Sequence, residues 1–138
     1  MRPPEILAAA RRLLDRPDSR DSGVLSRAAA LLARQAFEIG LDEHWRGRRV
    51  ALDRLATRPQ LICLSAYLPD RDVAARAVHA WAALSRACHH HPYELAPSAG
   101  ELRGWLDAVD DALAVLAAPA SPPASRPSAQ TSGGEAGA

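Results

Sequence analysis

Three of the five histidines stand together behind an arginine in the run Ser85-Arg86-Ala87-Cys88-His89-His90-His91-Pro92-Tyr93. Guanidinium is the cation best shaped to grip phosphate oxygens in pairs, and imidazole is the side chain whose ordinary charge change falls near neutral pH. Arg86 and His91 together would therefore hold a phosphate and move a proton beside it. On an unbroken helix the five-residue spacing would leave them about 140° apart. Pro92 changes that geometry, because the residue before a proline is pushed toward extended backbone and the helix cannot run on normally past it. His91 is then expected to turn back toward the face of Arg86. His79 and His90, seven before and four after Arg86, would share that face as a polar strip.

Other residues offer competing chemistry. Cys88 and His91, at i and i+3, would chelate one ion from a regular helix, with His44 or Cys63 completing the set. No CxxC pair, HExxH or repeated ExxH accompanies them. A structural reading is also open, in which Arg86 pairs with Glu94 or Asp42 and the histidines decorate a helix end where cations suit the dipole. Glu38, Asp42 and His44 would reach the arginine in a bundle, or form a solvated face balanced by Arg34 and Arg46. Arg46, Arg48, Arg49, Arg54 and Arg58 make a local basic cluster relieved only by Asp53. That cluster is either a solvated turn or a contact for a phosphate backbone. Tyr93 would orient His91 by a hydrogen bond or close the bundle end.

The elements that must position these groups are helical throughout, since the apolar pattern repeats every three or four residues and no stretch alternates with period two. A first helix is expected over Glu5–Asp15, behind prolines and ahead of Pro17-Asp18-Ser19. A second starts near Ser22 and runs to about Trp45, with Leu25, Ala28, Leu32, Ala36 and Ile39 on its apolar face. A short basic helix over 48–58 should stop at Pro59, and an apolar one over Gln60–Leu68 at Pro69. Asp70 then caps a helix whose stripe is Val73, Ala77, Trp81, Leu84 and Cys88. Ser98 and Glu101 have capping-box spacing ahead of Leu102, Trp105, Leu106, Val109, Leu113 and Leu116. Trp81 and Trp105 read as core residues; Trp45 and Tyr67 are left open.

The expected fold is an all-α, up-and-down bundle of four main helices plus short extra ones, over residues 1–118. Residues 119–138, rich in proline, alanine, serine and glycine, lack large apolar side chains and are expected to be a disordered tail. A chain of 138 residues can bury a core without disulfides, so Cys63 and Cys88 read as reduced, buried thiols of a cytoplasmic protein. No segment reads as a signal peptide or membrane span. All 17 cationic residues are arginine, with lysine and asparagine absent, which fits a GC-rich genome. The net charge of +1 argues against a general nucleic-acid coat.

The arginine, four intervening residues and histidine at the end of a bundle helix, followed by a loop and a final amphipathic helix, resemble the HEPN domain. The wording from Leu84 through Pro97 resembles small actinobacterial members of it, and the likeness spans roughly residues 5–117. It implies a bundle that dimerises so that two motifs face each other. It also implies an RNA substrate, no cofactor, and an antitoxin or nucleotidyltransferase partner, in toxin, defence or RNA-processing roles. Carried over, Arg86 would bind the scissile phosphate and His91 would act as general acid or base, with no metal, in a metal-independent endoribonuclease. His90, Tyr93, Arg46, Arg48 and Arg49 would help to bind the substrate. Ala87 stands where active members often carry a polar residue. The alternative is therefore a non-catalytic domain that binds RNA, a nucleotide or a partner protein.

Overall fold

The computed structural model describes residues 1–16, 22–48, 51–89 and 93–119. Its elements are α1 (Pro3–Leu14), α2 (Ser22–Gly47), a 3₁₀ turn (Ala51–Arg54), α3 (Thr57–Tyr67), α4 (Arg71–Cys88) and α5 (Ala99–Ala117), an all-helical bundle. Local chemistry accounts for their starts. The Glu5 carboxylate accepts from the Arg2 N–H at 2.8 Å, and Pro3 opens α1 where its missing N–H costs nothing. Asp70 caps α4 by accepting from the N–H groups of Asp72 and Val73. Ser98 and Glu101 form both halves of the expected box, at 3.1 and 3.0 Å.

Pairing of the long helices follows from which ends meet. Arg11 of α1 bonds Asp107 at 2.8 Å, and Arg103 bonds Asp15 at 3.1 Å, so α1 and α5 run antiparallel. Arg76 bonds Asp111, which makes α4 and α5 antiparallel as well. His44 meets Leu116, so α2 lies parallel to α5. Up-down-up-down order satisfies all three relations, with α3 and the 3₁₀ turn as an insertion between α2 and α4. Gly40 lets α2 approach α5 so closely that a Cβ there would collide with the Leu113 side chain.

The buried faces are turned toward alanine. On α2 the fully covered residues are Ala29, Ala30, Ala33, Ala36, Phe37, Leu41 and Trp45, whereas Leu32 and Ile39 only flank the core. On α4 the covered residues are Ala74, Ala77, Ala80, Ala83 and Leu84, with Val73, Trp81 and Cys88 half-buried. Small residues at a contact let helix axes approach, so they take the centre and larger side chains wrap its edges. Trp81 and Trp105 are accordingly edge residues, and Trp45 is the buried tryptophan, edge-on to Tyr67 at 5.7 Å. On α5 the expected stripe holds, with Leu102, Leu106, Val109, Leu113 and Leu116 all buried.

Pro59 does not stop a helix but lies in the first turn of α3, where N–H groups have no intrahelical partner to lose. Within the span 48–58, where a basic helix is expected, the described residues form the 3₁₀ turn over Ala51–Arg54, and Thr57 and Arg58 already belong to α3. Both cysteines are free and only partly buried. No helix among the described residues is long and apolar enough to cross a membrane. The expected tail, from residue 120 onward, lies outside the described residues.

Candidate functional site

Helix α4 ends at Cys88, and His89 follows as an extended cap whose N–H donates to the Arg86 carbonyl at 3.1 Å. The angular argument for a continuous helix through His91 therefore does not apply, and neither does chelation by Cys88 and His91 from one regular helix. His90, His91, Pro92 and Arg49 lie outside the described residues.

Arg86 occupies the last turn of α4 and is exposed. It lines a cleft of about 590 Å³ bounded by the end of α4, the start of α2, the segment 93–97 and the start of α5. Among the described residues it has no ion-pair partner. Neither Glu94 nor Asp42 takes the role expected of a structural partner: Glu94 lines the cleft without an ion pair to Arg86, and Asp42 accepts from Gln60 at 3.0 Å. Arg27, in the second turn of α2, is a second guanidinium on the cleft wall. Its Nε donates to the Gly23 carbonyl at 3.3 Å, which fixes the stem and leaves the terminal nitrogens available. Nothing in the local sequence singled out Arg27, because its role depends on the antiparallel packing of α2 on α4.

Tyr93 stands at the rim, 98% exposed, so it does not close the bundle end. Leu95 beside it is equally exposed. Ala87, His89, Glu101 and Trp105 also line it. The cleft thus sets two guanidiniums, Arg27 and Arg86, beside two carboxylates, Glu94 and Glu101, and an exposed aromatic ring; a guanidinium and a ring can grip a phosphate and stack on a planar base.

The other expected residues lie elsewhere. Arg46 is at the far end of α2, about 28 Å along the axis from Arg27, where it faces Asp53 at 3.9 Å. Arg48 lines a different cavity at that same end. His79 sits in a groove between α4 and α5, beside Trp105. Glu38 accepts from Arg34 at 2.9 Å and from the Trp81 indole N–H at 3.2 Å, with the Arg34 guanidinium 5.9 Å from the Trp81 ring centre. The Glu38 carboxylate pushes the Arg34 pKa further up, and burial pushes the neighbouring Cys88 thiol up, partly offset by Arg34. Burial thus favours the neutral thiol over the reactive thiolate.

His44 is 7% exposed, and its Nδ1 lies 3.0 Å from the Leu116 carbonyl. Burial pulls its pKa below the ordinary value and Arg48 adds to the lowering, against the hydrogen bond. It sits about 15 Å along α2 from Arg34, the neighbour of Cys88, so His44 is not placed to complete a set with Cys88. No cluster of three His, Cys, Asp or Glu occurs among the described residues.

No protein-family model, curated protein or solved structure matches the chain.

Proposed function

We propose that the Arg86 cleft is an RNA-directed site of HEPN type, in which Arg86 grips the scissile phosphate and His91 moves the proton. The observation that carries this reading is Arg86 itself: exposed, without an ion pair among the described residues, and sharing a cleft of about 590 Å³ with Arg27. A guanidinium not spent on an internal carboxylate is available to a ligand anion. In the reaction, the ribose 2′-hydroxyl attacks the adjacent phosphorus, the 5′-oxygen leaves, and a 2′,3′-cyclic phosphate remains. The nucleophile is already part of the substrate, so the protein supplies alignment, proton transfer and charge stabilisation.

The test is incubation of the full chain with mixed RNAs and with DNA of the same sequence, in EDTA, followed by analysis of the ends. Cleavage of RNA alone, leaving cyclic or 3′-phosphate ends, is the expected result. His91→Ala should lower the rate by about 10² to 10⁴, the usual contribution of a general acid or base. Full activity in both Arg86→Ala and His91→Ala would overturn the assignment.

The second reading, binding without cleavage, is favoured by Ala87, which puts a methyl group on the cleft wall next to Arg86. It predicts intact RNA with every variant and weaker RNA affinity in Arg86→Ala.

A further inference from the structure

At the opposite end of the bundle from Arg86, the first turn of α1, the last turns of α2 and the end of α5 enclose a cavity of about 520 Å³. Its walls are largely apolar, from Pro3, Leu113 and Leu116 among others, and a volume of this size is ordinary for a small-molecule site. One polar side chain in the wall is buried, His44 at 7% exposure. The carbonyl of Leu116 can only accept, so the His44 Nδ1 3.0 Å away carries the proton. The other nitrogen, Nε2, then presents a lone pair, and no described residue donates to it.

His44 Nε2 is not among the fully buried atoms left without a partner, so it is reachable, and an imidazole nitrogen open in a cavity wall fits a donor brought by a ligand. Burial keeps this ring neutral, which preserves the lone pair at neutral pH. Arg2 and Arg48 line the same cavity and Glu43 is its one acid among the described residues, so the lining is net cationic. Arg2 lies 3.8 Å from the Glu5 carboxylate, so Arg48 is the guanidinium on this wall without an ion pair among the described residues, and it opposes a metal cation and favours an anion.

From this geometry we infer that the cavity binds a small organic anion with a flat apolar body and a hydroxyl or N–H group. The acid of the ligand pairs with Arg48, its body lies against Pro3 and Leu116, and its hydroxyl donates to His44 Nε2. The site is separate from the Arg86 cleft and does not depend on how that cleft is used.

The probe is 4-hydroxybenzoate, compared with benzoate, which lacks the donor, and 4-hydroxybenzyl alcohol, which lacks the charge. At about 10 mM, enough to saturate a site of millimolar affinity, 4-hydroxybenzoate should raise the melting temperature and move the His44 ring resonance. The other two compounds should do so at least threefold more weakly. His44→Asn keeps an N–H where Nδ1 stood but removes the Nε2 acceptor. It should melt like the wild type and lose the preference for 4-hydroxybenzoate over benzoate. Arg48→Ala should weaken both carboxylates alike, and Arg86→Ala should bind all three as the wild type does. An unmoved His44 resonance with all three compounds, an unchanged preference in His44→Asn, or undiminished binding of both carboxylates in Arg48→Ala, would overturn the inference. If His44→Asn fails to fold, the wild-type resonance and Arg48→Ala still decide it.

Discussion

Free and occupied guanidiniums distinguish the arginines that can act from those that hold the fold. Arg11, Arg34, Arg76 and Arg103 each bond a carboxylate at 3.1 Å or less, whereas Arg86 and the terminal nitrogens of Arg27 face the cleft. The sequence already singled out Arg86, through its spacing to histidine and proline. It could not single out Arg27, whose relevance comes from packing, nor the isolation of Arg46 and Arg48 at the other end of α2. His44 illustrates the same limit, since only the meeting of α2 with α5 turns a histidine near a basic run into a buried acceptor. Its protonation gives a sharp expectation. The folded-state pKa lies below the unfolded value of about 6.5, so between the two the unfolded chain binds more protons. Stability from the neutral ring is present above about pH 6.5 and is lost as pH falls through that window toward the folded value. Denaturant unfolding at steps from pH 7.5 to 5, each near these values, should show wild type losing more stability than His44→Asn. Parallel pH profiles for the two proteins would show that the ring does not stay neutral.

Helices were legible at their ends and less so on their faces. Asp70, Ser98 and Glu101 cap where their chemistry predicts, because capping depends on three or four adjacent residues. Faces depend on neighbours. Of the stripe expected on α2, Leu25, Ala28, Leu32, Ala36 and Ile39, Ala36 is fully buried and the others are half-buried, because α2 packs on α1, α4 and α5 at once and the closest approach goes to the smallest side chains. Pro59 was misread for a similar reason, since the same ring ends one helix or starts another according to what precedes it. Gly40 tests the close-packing account directly. Alanine in place of a helix-interior glycine normally stabilises by about 0.5–1 kcal/mol. Here its methyl would meet the Cδ2 end of Leu113, a side-chain tip that must turn aside toward the adjoining cavity, so Gly40→Ala should keep less than that gain. In a Leu113→Ala background the obstruction is gone and Gly40→Ala should give the full gain. Chemical denaturation of the four proteins closes the cycle, and additive effects would mean that α2 and α5 do not meet through this pair.

At the scale of the whole molecule, cavities lie at both ends of the bundle, and among the described residues Tyr93 and Leu95, both 98% exposed at the rim of the Arg86 cleft, are the most exposed large apolar side chains. Large apolar side chains this open cost little singly, but two of them flanking a candidate reaction centre mark a surface for contact. The HEPN reading requires two motifs to face each other across a dimer, and a rim that pairs with its copy would bring the two Arg86 clefts together. Sedimentation at micromolar concentration should then report twice the chain mass of 14.7 kDa. Replacing both residues, as Tyr93→Ser with Leu95→Ser, removes contact area that the single chain does not bury, so the monomer should keep its helicity and its melting profile. The variant should sediment as a monomer and, if cleavage needs two facing motifs, should lose RNA cleavage while its Arg86 stays intact. A wild-type monomer that cleaves RNA would separate the chemistry from dimerisation, and a dimer unaffected by the double substitution would move the interface away from this rim.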